Sequence, residues 1–428
     1  MRQEIKKINP VKKLFGKITL PGDKSISHRA VMIGAISRGK TNVKNILDCD
    51  DCNYTIRAFR DMGIKMEKDN GYTAIYGKGL KGLKKPKWPI DIGNSGTSMR
   101  LLSGILTGQN FSVTLKGDAS LSKRPMKRIV EPLSLMGADI KANPDGYPPI
   151  KIKGGKVKPI DYKMPIPSAQ IKSAILLAGL YADGITIVEE AFKSRDHTER
   201  MLKYFGSKLK INGLKVSLEG ARELTARTLE IPGDISSASF FIAGVILLKG
   251  SKIRIDSVNI NPTRAGILKI LSKMGVKIKI YNKKNSFEPF GDLEIESSSA
   301  RGTVIDEKDI PSVIDELPIL FVIAACSEGR TVIKGARELR VKETDRIRSM
   351  RENLEKMGAK IHLEDNDIII DGVEKLRGAS LKSFGDHRTC MAMTIAALAA
   401  EGSSTIDDVG CVSKSFPQFF RTLEKLMV

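Results

Sequence analysis

Apolar stretches of helical length alternate along the chain with short strands in which apolar and polar residues alternate. One unit recurs, in which an apolar run ends in a glycine and a strand follows after a polar residue or two. It reads AISRGKTNV, GILTGQNFSV, LYADGITIV, VILLKGSKIRI, ACSEGRTVI and LAAEGSSTI, with glycines at 39, 108, 184, 250, 329 and 402. A glycine directly after a helix is typical of a left-handed C-cap. The pattern predicts six copies of one structural unit.

A second element lies between these copies, as FRDMGIKM, LSLMGADI, LKYFGSKL, LSKMGVKI and LEKMGAKI, with glycines at 63, 137, 206, 275 and 358. Turn residues and another strand follow most of them, so each unit reads β-α-β-α-β-β and an α/β fold is predicted. The final helix, expected at 417–427, ends where a sixth copy should begin, while extra strand material lies at 5–20. We therefore expect the sixth unit to be assembled from both termini.

A longer repeat joins LPGDKS at 20–25 to IPGDIS at 231–236, and 428 residues are enough for two domains. If the chain crosses between domains at these two segments, one domain is 21–232 and the other is 1–20 plus 233–428. Each domain then holds three repeats. Two adjacent crossovers predict a hinge and a cleft that closes on a ligand.

Composition narrows the class of protein. Apolar residues make up 41% of the chain, and no stretch approaches the ~18 uninterrupted apolar residues of a membrane span. The basic N-terminus lacks the apolar core of a secretory signal, so a cytoplasmic protein is expected. Five cysteines are scattered, and the Cys49–Cys52 CxxC lacks a partner pair for zinc, which favours a reduced pair beside a helix start.

The net charge of +22 leaves nucleic acid, an anionic surface and small acidic substrates open as partners. The lysines are spread over 81–87, 151–158 and 277–285, where they alternate with apolar residues or lie near turns. No aromatic-rich RNA-binding pattern lies among them. Most of the charge is therefore interpreted as solvated strand faces that help to attract anions.

A short polar loop precedes each apolar helix, at 21–29, 93–100, 166–173, 232–239, 310–318 and 384–392. Ser, Asp, Asn and Gly dominate these loops, which predicts N-caps. With pseudo-threefold packing inside each domain, the helix N-termini would point into the cleft and attract anions. One exposed terminus contributes only ~0.3–1 kcal/mol, so several have to converge.

Cationic side chains recur in these loops or after the strands: Lys24, His28, Arg29, Arg100, Arg124, Lys172, Arg195, Lys342, Arg346, His387, Arg388 and Lys414. Because such groups form charge-assisted bonds to phosphate, they predict a site for two anionic small molecules. Asp315 in VIDELP and Glu343 in RVKETDR have two interpretations. They are an N-cap and an ion-pair partner, or they are proton-transfer groups in a cationic cleft.

The motifs PGDKSISHR, GNSGTSMR, KRPM, SAQIKSA, RVKETDR, GDHRTCMA and KSFP resemble those of the EPSP synthase family, in order and along essentially the whole chain. The resemblance implies a two-domain inside-out α/β barrel, the enolpyruvyl transferase fold, with the active site between the domains. It implies transfer of the enolpyruvyl group of phosphoenolpyruvate to the 5-hydroxyl of shikimate 3-phosphate, in chorismate biosynthesis. It also implies a cytoplasmic monomer without a metal or organic cofactor.

The resemblance assigns residues to each role. Shikimate 3-phosphate is expected at Lys24, Ser25, Arg29, Ser168, Ala169, Gln170, Arg195, Asp315 and Lys342. Phosphoenolpyruvate is expected at Lys24, Gly96, Arg124, Gln170, Arg346, Arg388 and Lys414. Asp315 is expected to be the base towards the 5-hydroxyl, and Glu343, with Lys24 nearby, to move the proton at C3.

The sequence departs from the family pattern at two ligand positions. Ala169 offers only its backbone where many relatives have a second Ser, and Glu338 replaces an Asn associated with the shikimate ligand. Residues 168–172, 195–199 and 261–264 resemble the class II, often glyphosate-tolerant branch, although Gly96 is retained. This resemblance implies reduced sensitivity to glyphosate.

Two alternatives stay open. UDP-N-acetylglucosamine enolpyruvyltransferase is similar in architecture but has a Cys on a mobile loop, and the matching stretch 121–126 has none. A basic nucleic-acid-binding protein would explain the charge of +22, but the sequence supplies no base-reading helix or stacking platform.

Overall fold

The computed structural model describes residues 4–428, apart from the side chain of Asp69. The chain forms two compact units, which we call the terminal unit (Met1–Pro21 with Pro232–Val428) and the inserted unit (Gly22–Ile231). The boundaries expected from the sequence, 21 and 232, differ from these by one residue.

The strands, in chain order, are β1 Lys6–Ile8, β2 Phe15–Thr19, β3 Ser37–Lys44, β4 Lys65–Asp69, β5 Tyr72–Lys78, β6 Ile90–Asp91, β7 Ser112–Lys116, β8 Asp139–Lys141, β9 Ile150–Lys153, β10 Asp161–Lys163, β11 Ile185–Glu189, β12 Leu209–Asn212, β13 Lys215–Glu219, β14 Leu224–Thr225, β15 Thr228–Glu230, β16 Lys252–Asn259, β17 Ile278–Asn285, β18 Pro289–Glu296, β19 Val304–Ile305, β20 Arg330–Ile333, β21 Lys360–Glu364, β22 Asp367–Asp371, β23 Ser380–Leu381 and β24 Ser404–Ile406.

The α-helices are α1 Lys24–Ala35, α2 Asp50–Asp61, α3 Gly96–Thr107, α4 Lys127–Leu135, α5 Ala169–Gly179, α6 His197–Tyr204, α7 Ile235–Leu247, α8 Gly266–Lys273, α9 Ile310–Val313, α10 Leu317–Ala325, α11 Arg346–Lys356, α12 His387–Leu398 and α13 Phe419–Glu424. Short 3₁₀ helices span Leu121–Lys123, Glu307–Asp309, Ala336–Val341 and Val409–Lys414.

The inserted unit contains three sheets of one design, with strand orders β14-β3-β5-β4, β6-β7-β9-β8 and β10-β11-β13-β12. In each, the first strand is parallel to the second and the others are antiparallel. The hairpin from β4 to β5 turns at Asn70 and Gly71, which both have positive φ, as a two-residue type I′ turn requires. The predicted β-α-β-α-β-β order is present in full in the second and third repeats of this unit. In the first repeat the parallel neighbours of β3 are β14 and β15, from the end of the unit.

Helices α1, α3 and α5 form the core of the inserted unit, and they are buried on almost every side. Such all-round burial is expected of helices in the middle of a unit, and the charged residues buried in them, Arg29 and Lys172, are bonded to other side chains. A Cβ on Gly104 of α3 would lie 2.2 Å from the carbonyl oxygen of Ala174 of α5. A glycine there is what allows these two helices to pack with their backbones in contact.

The terminal unit repeats this arrangement with sheets β17-β18-β16-β2, β19-β20-β22-β21 and β1-β24-β23. Helices α7, α10 and α12 pack against one another in its core. In the third sheet, β1 from the start of the chain pairs antiparallel with β24, and β23 pairs parallel with β24. The N-terminal segment thus supplies a strand to the last repeat.

At each of the two places where the chain passes between the units, the last strand before the crossing stays in the sheet of its own unit and does not join the repeat of the helix that follows it. β2 precedes α1 in the sequence but pairs parallel with β16 of the terminal unit. β15 precedes α7 but pairs parallel with β3 of the inserted unit. Each unit therefore holds one strand that the order of repeats alone would give to the other.

Three sequence-based expectations about elements were wrong. Gly108 caps α3 with φ −85°, not left-handed; it is needed because a Cβ would lie 2.1 Å from the Tyr181 ring. Gly39 lies inside β3, and the other four glycines of the first repeat element lie two to four residues beyond the C-cap residues of their helices, so none of the six is a left-handed C-cap directly after a core helix. The final helix is α13, shorter than 417–427. Within residues 4–428, no helix is both long and apolar enough to cross a membrane.

Candidate active site

Side-chain N-caps begin five of the six core helices, as the polar loops predict. Asp23, Ser95, Ser168, Asp234 and Asp386 accept hydrogen bonds from backbone N–H groups of α1, α3, α5, α7 and α12. The fifth loop differs, because it forms the short helix α9 and places Glu316, without a capping bond, before α10. The N-cap interpretation of Asp315 was therefore wrong, since Glu316 occupies that position.

In the inserted unit, the first residues of the core helices are predicted ligand positions. Lys24 begins α1, Gly96 begins α3 and Ala169 begins α5. Gln170 donates to Thr97 Oγ1 at 3.1 Å and accepts from Arg100 Nη1 at 2.6 Å, so the N-termini of α3 and α5 are joined. Two helix N-termini therefore lie side by side, as an anion site requires.

Lys24 has a carboxylate partner that the sequence did not reveal. Its Nζ lies 2.9 Å from Asp51 Oδ2, and the two side chains are 15% and 12% exposed. Asp51 is in the first turn of α2, beside the CxxC pair. Such a pairing holds the long, flexible lysine side chain in one place.

Arg29 forms hydrogen bonds to the protein itself, which is not expected of a residue that only binds ligand. It is buried, and its three nitrogens donate to Ser25 O at 2.9 Å, Thr198 Oγ1 at 2.7 Å and Ser173 Oγ at 2.9 Å. These bonds fasten α1 to α5 and α6. Arg195 is half-buried, in the segment that precedes α6.

His28 and the two cysteines of the CxxC are also buried in this unit. His28 Nδ1 lies 2.7 Å from Thr55 Oγ1, and burial, with Lys24 and Arg29 adding to it, lowers the pKa of His28 well below its ordinary value. His28 is thus uncharged and does not serve as a cation. Cys49 is the N-cap residue of α2, and both thiols are free. Burial raises the pKa of Cys52.

Arg124 is buried and donates to Asn94 Oδ1 at 2.5 Å, while Asn94 in turn donates to Asp118 at 2.8 Å. A Cβ on Gly96 would lie 3.1 Å from Arg100 Nη1 and 3.3 Å from Arg124 Nη1. The start of α3 is therefore closely lined by two guanidinium groups. The lack of a side chain at Gly96 keeps that space open.

In the terminal unit, Arg346 is the centre of a cluster of ion pairs. Its guanidinium, 1% exposed, lies 2.8 Å from Asp386, 2.6 Å from Glu343 and 3.5 Å from Asp315. Burial by itself would lower the pKa of Arg346, but the carboxylates of Asp386, Glu343 and Asp315 together raise it. Both predicted proton-transfer carboxylates are thus held by one cation.

Asp315 also contacts Arg388 at the start of α12. Its Oδ2 lies 3.6 Å from Arg388 Nη2, and its backbone carbonyl accepts from Arg388 Nη1 at 2.9 Å. Lys414 donates to Gly385 O at 2.8 Å, in the loop just before α12. The terminal unit therefore brings five predicted residues together around one place: Asp315, Glu343, Arg346, Arg388 and Lys414.

Lys342 is half-buried beside this cluster. Burial lowers its pKa from 10.5 to about 8; Arg346 acts in the same direction, whereas Asp315, Glu343 and Glu338 oppose the shift. Its ammonium group is therefore charged near neutral pH and loses its proton in mildly alkaline solution.

Two buried carboxylate–cation groups support these clusters. Arg264, 2% exposed, lies 2.9 Å from Asp234 and 2.8 Å from Glu316, the neighbour of Asp315. Lys172, predicted to be a cation beside the anion site, is instead enclosed by Glu190 and Glu199. This prediction was wrong because the lysine faces the interior; its place in the apolar run IKSAILLAG was the available signal.

The inserted unit has backbone amides at adjoining helix N-termini, and the terminal unit has a cationic cluster that holds two carboxylates. Both arrangements are typical of enzymes that act on small anionic metabolites. The model of one protein family, EPSP synthase (3-phosphoshikimate 1-carboxyvinyltransferase), matches residues 8–423. The chain belongs to this family, which confirms the predicted family and fold.

Similar proteins cover the whole chain. It is 49% identical over 423 residues to the 3-phosphoshikimate 1-carboxyvinyltransferase of Geotalea uraniireducens, covering 98% of this chain and 99% of that one. It is 47% identical to the enzyme of that name from Bacillus cereus, covering 98% of each. The EPSP synthase structure from Acinetobacter baumannii matches with a TM-score of 0.87 at 45% identity, covering 99% of this chain and 98% of that one.

Proposed function

We propose that this protein transfers the enolpyruvyl group of phosphoenolpyruvate to the 5-hydroxyl of shikimate 3-phosphate and releases phosphate. The observation that carries the proposal is the terminal-unit cluster, in which Arg346 holds Asp315 and Glu343 beside Arg388. This cluster offers two proton-transfer groups and two fixed cations to anionic substrates. Family membership favours this reaction over the related transfer to UDP-N-acetylglucosamine and over nucleic-acid binding.

Shikimate 3-phosphate is held by the N-terminus of α5 in this proposal. The Ser168 hydroxyl and the backbone N–H groups of Ala169 and Gln170 donate hydrogen bonds to the phosphate, because a helix N-terminus supplies N–H donors and partial positive charge. Further contacts come from Lys24, Ser25, Arg195, Asp315 and Lys342. Arg29, whose nitrogens bond to the protein, acts mainly by holding Ser25 in place.

Phosphoenolpyruvate is held by guanidinium and ammonium groups. In the inserted unit these are Lys24 and Arg124, beside the amide end of α3 at Gly96 and the side chain of Gln170. Arg346, Arg388 and Lys414 contribute from the terminal unit. The planar fork of arginine suits both carboxylate and phosphate oxygens, which this substrate carries together.

The reaction is an addition followed by an elimination. Asp315 takes the proton of the 5-hydroxyl group as the oxygen of that group bonds to C2 of phosphoenolpyruvate. At the same time Glu343, with Lys24, delivers a proton to C3. A methyl proton then returns to the same groups, the C2–phosphate oxygen bond breaks, and the double bond re-forms. Asp315 lies 3.5 Å from Arg346 Nη1 and 3.6 Å from Arg388 Nη2, and these two guanidinium groups hold its carboxylate in one place. Fixed cations stabilise the charge that develops.

The test is phosphate release from shikimate 3-phosphate with phosphoenolpyruvate, compared with each substrate alone. We expect release only with both substrates and none when UDP-N-acetylglucosamine replaces shikimate 3-phosphate. Release with the UDP sugar would assign the protein to the related transfer. Absence of turnover together with a salt-dependent shift of nucleic acid would overturn the proposal altogether.

Replacing Gly96 by Ala is expected to raise the KM for phosphoenolpyruvate about 10- to 100-fold, with little change in the KM for shikimate 3-phosphate. The added methyl group crowds Arg100 and Arg124, and overpacking typically costs roughly 1–3 kcal/mol. Steady-state kinetics with each substrate varied in turn measures this. Gly155→Ala is the matched control, since a Cβ there meets no atom within 4 Å; equal effects of the two changes would contradict the expectation.

The affinity for shikimate 3-phosphate is expected to fall as the pH rises through about 8. The pKa of Lys342 is about 8, so its positive charge is present below that pH and is lost above it. The value of kcat/KM for this substrate should then decline by up to about tenfold per pH unit. Lys342→Arg, which stays charged, should remove the decline. A profile that is flat well above the pKa of Lys342, or an unchanged decline in the arginine variant, would count against Lys342.

We further propose that the enzyme is a monomer in the cytoplasm. Its five cysteines are free thiols, which is typical of proteins in a reducing compartment. Light scattering coupled to size-exclusion chromatography measures the mass, and a value of twice 46.9 kDa would contradict the monomer.

A further inference from the structure

A buried ion triad in the inserted unit is not used by the mechanism above. Lys172 of α5 lies 2.7 Å from Glu190 and 2.6 Å from Glu199, and the three side chains are at most 2% exposed. Glu190 follows β11, and Glu199 is in the first turn of α6. One lysine therefore joins three consecutive pieces of the same repeat.

Such a triad is not explained by stability alone. Taking one ammonium and two carboxylates out of water is costly, and apolar residues of similar volume are often as stable or more so. The pKa of Glu199 is raised by burial, although Lys172 opposes this. A triad with this desolvation cost and no role in binding could be replaced by apolar side chains without loss of stability. The contacts of the triad with neighbouring residues therefore point to its role.

The triad reaches the ligand positions through adjacent residues on both sides. Glu190 Oε1 accepts from the backbone N–H of Ser194 at 3.2 Å and from the Ser194 hydroxyl, and Ser194 directly precedes Arg195. Lys172 itself lies one helical turn after Ser168, the N-cap of α5. The triad thus fixes the segment that carries Arg195 relative to the phosphate-binding end of α5.

A second set of bonds supports this geometry at the residues next to Lys172 and Glu199. Arg29 donates to Ser173 and Thr198, the neighbours of Lys172 and Glu199. The connection between α5 and α6 is therefore made by Arg29, by Lys172 and by a direct hydrogen bond of 2.6 Å between the Ser173 and Thr198 hydroxyl groups.

We propose that Lys172 is a positioning residue for shikimate 3-phosphate, acting through Glu190 and Glu199 to place Arg195 beside the N-terminus of α5. This inference rests on the proposed function. It does not require Lys172 to touch either substrate. It assigns to Lys172, Glu190 and Glu199 the part of substrate affinity that depends on the position of Arg195.

The test is a double-mutant cycle between Lys172 and Arg195. Lys172→Met is expected to raise the KM for shikimate 3-phosphate about 10- to 100-fold, since small displacements of binding groups have effects of this order. The KM for phosphoenolpyruvate and kcat at saturation should change by less than about threefold. In the Arg195→Ala background, Lys172→Met should add less than about threefold, because residues that act through one another are not additive.

Two further variants keep the test decisive if Lys172→Met folds poorly. Glu199→Gln removes one charge and keeps an oxygen acceptor, and the triple change Lys172→Met/Glu190→Gln/Glu199→Gln removes all three charges. Both should show the same selective rise in KM, with the triple variant unfolding at a temperature near that of the native protein. Lys203→Met, on the exposed face of α6, is the matched control and should behave as the native protein.

The outcomes separate the two hypotheses. Equal losses for both substrates, a fall in kcat, or full additivity with Arg195→Ala would show that Lys172 is merely structural and would overturn the inference. If the native protein shows neither binding nor turnover of shikimate 3-phosphate, the proposed function itself is wrong.

Discussion

Asp315→Asn is expected to lower kcat by roughly 10²–10⁴-fold, the range that a positioned general base contributes. The amide keeps the size of the side chain but cannot take the proton of the 5-hydroxyl. The KM values should change far less than kcat, because Arg346 and Arg388, which hold Asp315, remain in place. Phosphate release at saturating concentrations of both substrates measures the effect.

Asp365→Asn is the matched control for this change. Asp365 is exposed in the turn between β21 and β22 and has φ +51°, a conformation that asparagine adopts readily. It removes the same charge from the same unit and should leave kcat unchanged. Turnover of Asp315→Asn within tenfold of the native protein would remove Asp315 from the role of base.

Lys24→Met is expected to lower kcat/KM for both substrates, by about 10²–10⁴-fold. Two charge-assisted contacts at roughly 1.5–3 kcal/mol each give about 3–6 kcal/mol, and each 1.4 kcal/mol is tenfold. The loss also leaves Asp51, now 2.9 Å from Lys24, as a partly buried carboxylate without its cation. Steady-state kinetics with each substrate varied in turn measures both values.

Lys156→Met provides the comparison for Lys24, because Lys156 is an exposed lysine of the same unit. It should change neither kinetic constant, although it removes the same charge. A loss confined to one substrate in Lys24→Met would show that the lysine serves only that substrate. A loss of less than tenfold for both would exclude it from the site.

The fold was largely predictable because its signals are local and repeated. Glycines after helices, N-cap residues before them and the Asn70–Gly71 turn depend on backbone geometry that only a few residue types satisfy. These signals fixed the order of elements through the six repeats. Gly108 shows their limit, since its role is the close approach of Tyr181, which is distant in sequence.

The residues of the candidate site were predictable from the sequence, but the residues that form ion pairs with them were not. Asp51, Asp386 and Glu316 look like ordinary surface or capping acids in the sequence, yet each lies beside a cation of a predicted cluster or of its support. Lys172 was placed beside the anion site when it is enclosed by Glu190 and Glu199. Ion pairs between residues that are far apart in the chain produce no periodic pattern in the sequence. Errors in assigning their partners are therefore expected.

Strands β1 and β2 pair with strands that come much later in the chain. This has a consequence for how the polypeptide folds during synthesis. The inserted unit is a continuous segment, Gly22–Ile231, and holds all the strands of its own sheets. The strands β16 and β24, which pair with β2 and β1, are synthesised only after this whole segment. Strands β1 and β2 therefore lack their neighbours throughout most of translation, and joining them is a late, non-local step that slows folding and invites aggregation.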